Sequence, residues 1–152
     1  ACLAEAVAIL AARGVPLAGT VQTNPERTGR NVCDMDVRVL PDGPVLRISQ
    51  DLGAGARGCR LDGGALEEAA AEAARRLDGA ALLVVNKFGK QEVEGRGFRP
   101  LIGKALAIDI PVLVALNQTN LAGFQAFADG MAERLKPEAA AVLDWCRDRI
   151  GA

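Results

Sequence analysis

The run Asn86-Lys87-Phe88-Gly89-Lys90-Gln91-Glu92-Val93-Glu94-Gly95-Arg96-Gly97-Phe98 follows directly on the apolar stretch Ala80 to Val85. Charge this dense in a connection offers an anion charge-assisted contacts, or supplies a carboxylate base, or simply forms a solvated loop. A second concentration is Gly53-Ala54-Gly55-Ala56-Arg57-Gly58-Cys59-Arg60. Its glycines expose backbone amides, and Arg57 and Arg60 add guanidinium groups, a combination suited to an oxyanion or, without a ligand, to a surface connection. The segment has the form G-x-G-x-x-G. Cys59, Arg60, Leu61 and Asp62 intervene before any helix, however, and the preceding strand belongs to a hairpin, so the dinucleotide fingerprint is excluded.

Three carboxamides stand at the ends of apolar runs: Gln22 after Leu17 to Val21, Asn86 after Leu82 to Val85, and Asn117 after Val112 to Leu116. Amides donate and accept, and open α/β sheets bind ligands outside the carboxyl ends of their parallel strands. Gln22, Asn86, Lys87, Lys90, Asn117, Arg57 and Arg60 are therefore the candidate ligand-binding residues. Cys33 and Cys59 flank a predicted hairpin; they form a soft ligand pair, a redox pair, or two small buried residues. Arg57 and Arg60 would lower the Cys59 thiol pKa, whereas Asp34 and Asp36 act oppositely on Cys33. Cys59 is the expected more reactive thiol, bordering the site.

The chain has no histidine and no tyrosine among its 152 residues, which removes the commonest general base and metal ligand. Cys2, Cys33, Cys59 and Cys146 form no C-x-x-C pair, so neither an ordinary zinc site nor a disulfide framework is expected, and no metal is assigned. Reduced thiols point to a cytoplasmic setting. A net charge of −1 and an aromatic content of 3% leave neither a basic face nor stacking platforms, which argues against nucleic acid. No apolar stretch approaches the ~18 residues a membrane helix requires.

The elements that must position these residues alternate. Apolar spacing predicts a helix over Ala1 to Arg13 and a buried strand over Pro16 to Gln22. Thr23 to Asn31 is a loop. Cys33 to Leu40 and Val45 to Ser49, around Pro41-Asp42-Gly43, predict an antiparallel hairpin. Asp62 is the predicted N-cap of a helix through Leu77, with Glu67 and Glu68 early and Arg75 and Arg76 late, as the helix dipole favours. Ala80 to Val85 and Ile110 to Leu116 are continuous apolar runs, expected of parallel strands covered on both faces. Asn86 to Gly97 is a predicted loop, Phe98 to Ala107 a helix, and Leu121 to Leu135 a helix with Phe124, Phe127 and Met131 on one stripe. Pro137 opens the last helix, through Ile150. The order implies one α/β domain with an open, mostly parallel sheet between two helical layers and an inserted or edge hairpin.

The segment Val84-Val85-Asn86-Lys87-Phe88-Gly89-Lys90-Gln91-Glu92, with the Phe98 helix and Pro111-Val112-Leu113, resembles the Walker B region of P-loop nucleoside-triphosphatases of the thermophilic, cancer-related type. Asn-Val-Cys-Asp-Met-Asp (31–36), Asp-Leu-Gly-Ala-Gly-Ala-Arg-Gly-Cys-Arg-Leu-Asp (51–62) and Val-Asn-Lys-Phe-Gly-Lys-Gln-Glu (85–92) are similar to the signatures of an uncharacterised bacterial domain family related to those enzymes. Its members are often found beside molybdate-transport genes. The resemblance implies a three-layer P-loop NTPase-like fold and a nucleotide, with Mg²⁺, as ligand. In the enzymes an Asp-Glu pair serves Mg²⁺ and the attacking water; Asn86-Lys87 occupies that place here, and neither residue suits either job. No G-x-x-x-x-G-K-[ST] occurs, so the first strand and phosphate loop are expected before Ala1. The leading expectation is a nucleotide- or oxyanion-binding protein that is not an efficient hydrolase. One alternative is an active nucleoside-triphosphatase with Glu92 or Glu94 as base and the phosphate loop upstream; another is a non-catalytic interaction module. The expected partner is a small anionic ligand, with homo-oligomerisation open.

Overall fold

The structure is a computed structural model and describes residues 2–23, 35–50 and 60–151. Five strands form one sheet in the order β3-β2-β1-β6-β7. β1 (Leu17–Thr23), β6 (Leu82–Asn86) and β7 (Val112–Ala115) run parallel, with Thr20 opposite Val85 and Val85 opposite Val114. The expected hairpin, β2 (Asp36–Val39) and β3 (Val45–Arg47), joins antiparallel on the outer side of β1 and forms one edge of the sheet. The architecture is an α/β three-layer fold with a mostly parallel sheet.

Alternation along the strands divides the core in two. Leu17, Val21, Leu82, Val84 and Leu113 face α1 (Cys2–Ala12) and α6 (Ala139–Ile150). Ala18, Leu83 and Val85 face α2 (Gly63–Ala74) and α4 (Arg99–Ala107). Helix α1 buries Leu3, Ala6, Val7 and Leu10, spaced to lie on one helical stripe. β6 is buried on both faces, as its unbroken aliphatic run predicts; each such side chain stabilises by about 1.5–3 kcal/mol. Gly19 permits the close approach of β1 to β6: it has φ +106°, and a Cβ there would lie 1.8 Å from the Val84 carbonyl oxygen.

Several boundaries differ from the sequence expectations. Helix α2 ends at Ala74 rather than Leu77, and the turn that follows buries Leu77 in the core. Helix α5 spans Leu121–Ala128, not Leu121 to Leu135. The chain leaves it through Asp129 at φ 49° and Gly130 at φ 78°, residue types that tolerate a left-handed cap. Met131 therefore leaves the Phe124–Phe127 stripe and is 77% exposed. The Asn86–Gly97 connection is not a plain loop, because it holds the short helix α3 (Lys90–Val93). The strand-like run Val45 to Ser49 is broken at Ile48, so that Ser49 belongs to a separate short strand, β4 (Ser49–Gln50), paired antiparallel with β5 (Arg60–Leu61), which sequence periodicity did not show. None of the described helices is long and apolar enough to cross a membrane.

Candidate functional site

The carboxyl ends of β6 and β7 are adjacent. Asn86 pairs in register with Ala115, and Asn117 follows two residues later. The Phe88 amide donates to the Ala115 carbonyl at 2.8 Å, which carries the ladder past the end of β6. Phe88 thereby enters the core, 5.2 Å from the Phe124 ring and 5.6 Å from that of Phe127. Lys87, beyond the end of β6, is exposed, and so is Lys90 at the start of α3. Asn117 is exposed too, its side-chain oxygen accepting from the Asn120 amide at 3.3 Å and from Asn120 Nδ2 at 2.9 Å. Continuing the Thr20–Val85 register by two places sets Gln22, on β1, level with Lys87.

The connection after Phe88 is held by carboxylates. Glu92 is 2% exposed. Its Oε1 accepts from the Gly89 amide at 2.7 Å, the reach back from the third helical position that shields a helix start. Its Oε2 accepts from the Phe98 amide at 3.0 Å. Glu67, on α2, accepts from the neighbouring Gly97 amide at 2.7 Å. Arg99 Nη1 donates to the Val93 carbonyl at 3.1 Å and lies 4.8 Å over the Phe127 ring. Burial pushes the Glu92 pKa above the usual carboxylate range, against the pull of the Gly89 and Phe98 amides; the Glu67 charge adds to the rise.

Helix α2 connects this loop to the base of the glycine-rich segment. The Asp62 amide donates to the Ile48 carbonyl at 2.6 Å, and the Asp62 side chain caps Ala65 at 3.1 Å, the cap expected from sequence. A Cβ on Gly63 would come within 4.0 Å of Gln91 Oε1, which in turn accepts from Arg96 Nε at 2.9 Å. The Arg60 backbone, in β5, is thus two residues from a helix start that meets the charged loop. Arg57, Cys33 and Cys59 lie outside the described residues, as does the Arg60 side chain, so the predicted thiol site has no geometry here.

Asn86, Lys87, Lys90 and Asn117 therefore share one end of the sheet, with Gln22 on the next strand. An ammonium repels Mg²⁺, and the lone carboxamide oxygen of Asn86 is a poor replacement for the carboxylates that ordinarily hold that ion. Both oxygens of the nearest buried carboxylate, Glu92, are bonded to backbone amides. A depression of about 280 Å³ lies elsewhere, between α2 and α4, with Glu67, Gly97 and Lys104 in its wall. Two features escaped sequence reasoning. Glu67 read as an acid of the helix's early turns, suited to the helix dipole, and only the tertiary fold brings it to Gly97. Thr20, fully buried, has a hydroxyl with no hydrogen-bond partner among the described residues; a lone hydroxyl in the run Leu17 to Val21 was its visible signal.

A mostly parallel sheet between helical layers makes this an α/β three-layer fold, consistent with a P-loop-like domain. The chain belongs to the family of proteins of unknown function designated DUF2478, which matches residues 1–145. It is 33% identical over 147 residues to the molybdenum import ATP-binding protein ModC 2 of Bradyrhizobium diazoefficiens. That match covers 96% of this chain and 16% of the relative's length. No solved structure matches.

Proposed function

We propose that this protein binds a nucleotide or a small oxyanion at the carboxyl ends of β6 and β7, on a P-loop NTPase-like scaffold whose Walker B acids are replaced. The observation that carries the reading is that Asn86 ends β6, the exposed Lys87 follows it, and Lys90 opens α3 three residues later. Two ammonium groups supply the positive charge that a metal ion supplies in the related enzymes. Carboxamides of Asn86, Asn117 and Gln22 add donors; Arg57 and the Arg60 side chain, candidates from the sequence, lie outside the described residues. The likeness to a molybdenum import ATP-binding protein supports ATP and molybdate as the ligands to try first.

β7 is an edge among the described residues, and its Val112 and Val114 are only half-buried, so a further strand has room beside it. Isothermal titration of the protein with ATP, inorganic phosphate and molybdate tests the proposal. Saturable binding of at least one, weakened by Lys87→Ala, is the expected result. No heat with any of the three at millimolar concentration removes it.

A further inference from the structure

We infer that Glu92 is a positioning residue: its ionised carboxylate clasps both ends of the Gly89–Phe98 connection and so fixes where Lys87 and Lys90 stand. The inference rests on the anion-binding reading above and assigns Glu92 a role other than that of a base.

The clasp needs a carboxylate. Oε1 takes the Gly89 amide at 2.7 Å and Oε2 takes the Phe98 amide at 3.0 Å, so both oxygens accept. A carboxylate has lone pairs on both oxygens and no proton; a carboxamide turns an NH2 donor toward one of the amides, and a carboxylic acid leaves only its weaker hydroxyl acceptor there. The two bonds join points nine residues apart, and the connection between them carries Lys90 in its first turn. Lys87 precedes the first anchor by two residues, with the Phe88–Ala115 bond between them, and on its other side Asn86 is held in register with Ala115.

The surrounding elements are built for the same purpose. Glu67 of α2 holds the Gly97 amide, next to the amide that Glu92 holds, so two carboxylates from different elements seize consecutive backbone groups. Gly97 has φ +62°, and a Cβ on it would lie 1.7 Å from Glu92 Oε2, so the clasp closes only over glycine. The charged groups facing the clasp are Glu67 from α2 and Arg99 from α4. The Arg99 guanidinium is directed to the Glu92 and Val93 carbonyls at 3.5 and 3.1 Å, which leaves the carboxylate to the amides.

The test compares wild type with Glu92→Gln by amide hydrogen exchange and by titration with inorganic phosphate. The expected variant shows ~10-fold or faster exchange at Gly89 or Phe98 with strand β6 unchanged, and several-fold weaker phosphate binding. Wild-type exchange at both amides overturns the clasp. Faster exchange with wild-type phosphate affinity overturns the positioning role. A wild type that binds no phosphate, ATP or molybdate overturns the anion-binding reading, and this inference falls with it. Should the variant not fold, the wild type carries the test in its amide resonances. Gly89 and Phe98 are expected to shift together through one titration; two amides that ignore pH contradict the clasp.

Discussion

Gly97 lies against the Glu92 carboxylate so closely that the smallest side chain has no room: a Cβ there would stand 1.7 Å from Oε2 and 2.8 Å from Cδ. The backbone at Gly97 is also left-handed, at φ +62°. Gly97→Ala is therefore expected to destabilise the fold by about 2–4 kcal/mol, combining backbone strain with displaced hydrogen bonds to Glu92 and Glu67. Urea unfolding measures it. Gly95→Ala is the comparison: φ is +91° there too, but nothing lies within 4 Å of the added Cβ, so only strain remains and the loss is smaller.

The Glu92 carboxyl gives stability a pH dependence of defined sign. Burial raises its folded pKa above the ordinary value of 4.5. Stability linked to this group is complete below the unfolded pKa and is lost as pH rises through the higher folded value, because desolvation of the ionised carboxylate outweighs the Gly89 and Phe98 amide bonds that favour it. Denaturation midpoints measured upward from pH 4.5 should show this component in wild type, and Glu92→Gln should remove it. A component of the opposite sign contradicts the burial argument.

Much of this arrangement was legible in the sequence, for identifiable reasons. Ala80 to Val85 read as a buried parallel strand because a covered strand is uniformly aliphatic; Ile110 to Leu116 read the same way, but its strand β7 is an edge among the described residues and buries only Leu113. Asp62 read as a cap because its spacing from the apolar stripe is local information. The placement of Asn86, Lys87 and Asn117 followed from strand ends alone. The Glu67–Gly97 and Glu92–Phe98 bonds did not, because they depend on which element lies beside which. The early end of α5 was written in Asp129-Gly130, but the apolar spacing of Phe124, Phe127 and Met131 masked it.

The edge of the sheet has its own signature. The Pro111 and Ala115 carbonyls are directed to β6. Backbone groups alternate along a strand, so the Val112 and Val114 amides point away from β6. In the 152-residue chain these two amides should exchange ~100-fold faster than those of Leu113 and Ala115. Equal protection at all four would show that β7 is already paired on its outer side.

Lys87 and Lys90 are exposed, so replacing either with Ala should change stability by no more than about 0.5 kcal/mol. Their effect belongs in binding. A charge-assisted hydrogen bond is worth about 1.5–3 kcal/mol, and one lost lysine should weaken phosphate binding by at least ~10-fold. Equal affinities for wild type and the Lys87→Ala, Lys90→Ala double variant would place any anion elsewhere.

The central claim is that lysine and carboxamide groups, not a metal ion, meet the anion at the end of β6. ATP affinity measured by isothermal titration, once with Mg²⁺ and once with a chelator, tests it most directly. Asn86 and Lys87 offer Mg²⁺ no carboxylate, and Mg²⁺ would neutralise the phosphates that the lysines attract. The predicted result is saturable binding in chelator, unchanged or weakened by Mg²⁺ and lost in the Lys87→Ala, Lys90→Ala variant. Binding that appears only with Mg²⁺ and survives the loss of both lysines would contradict the account.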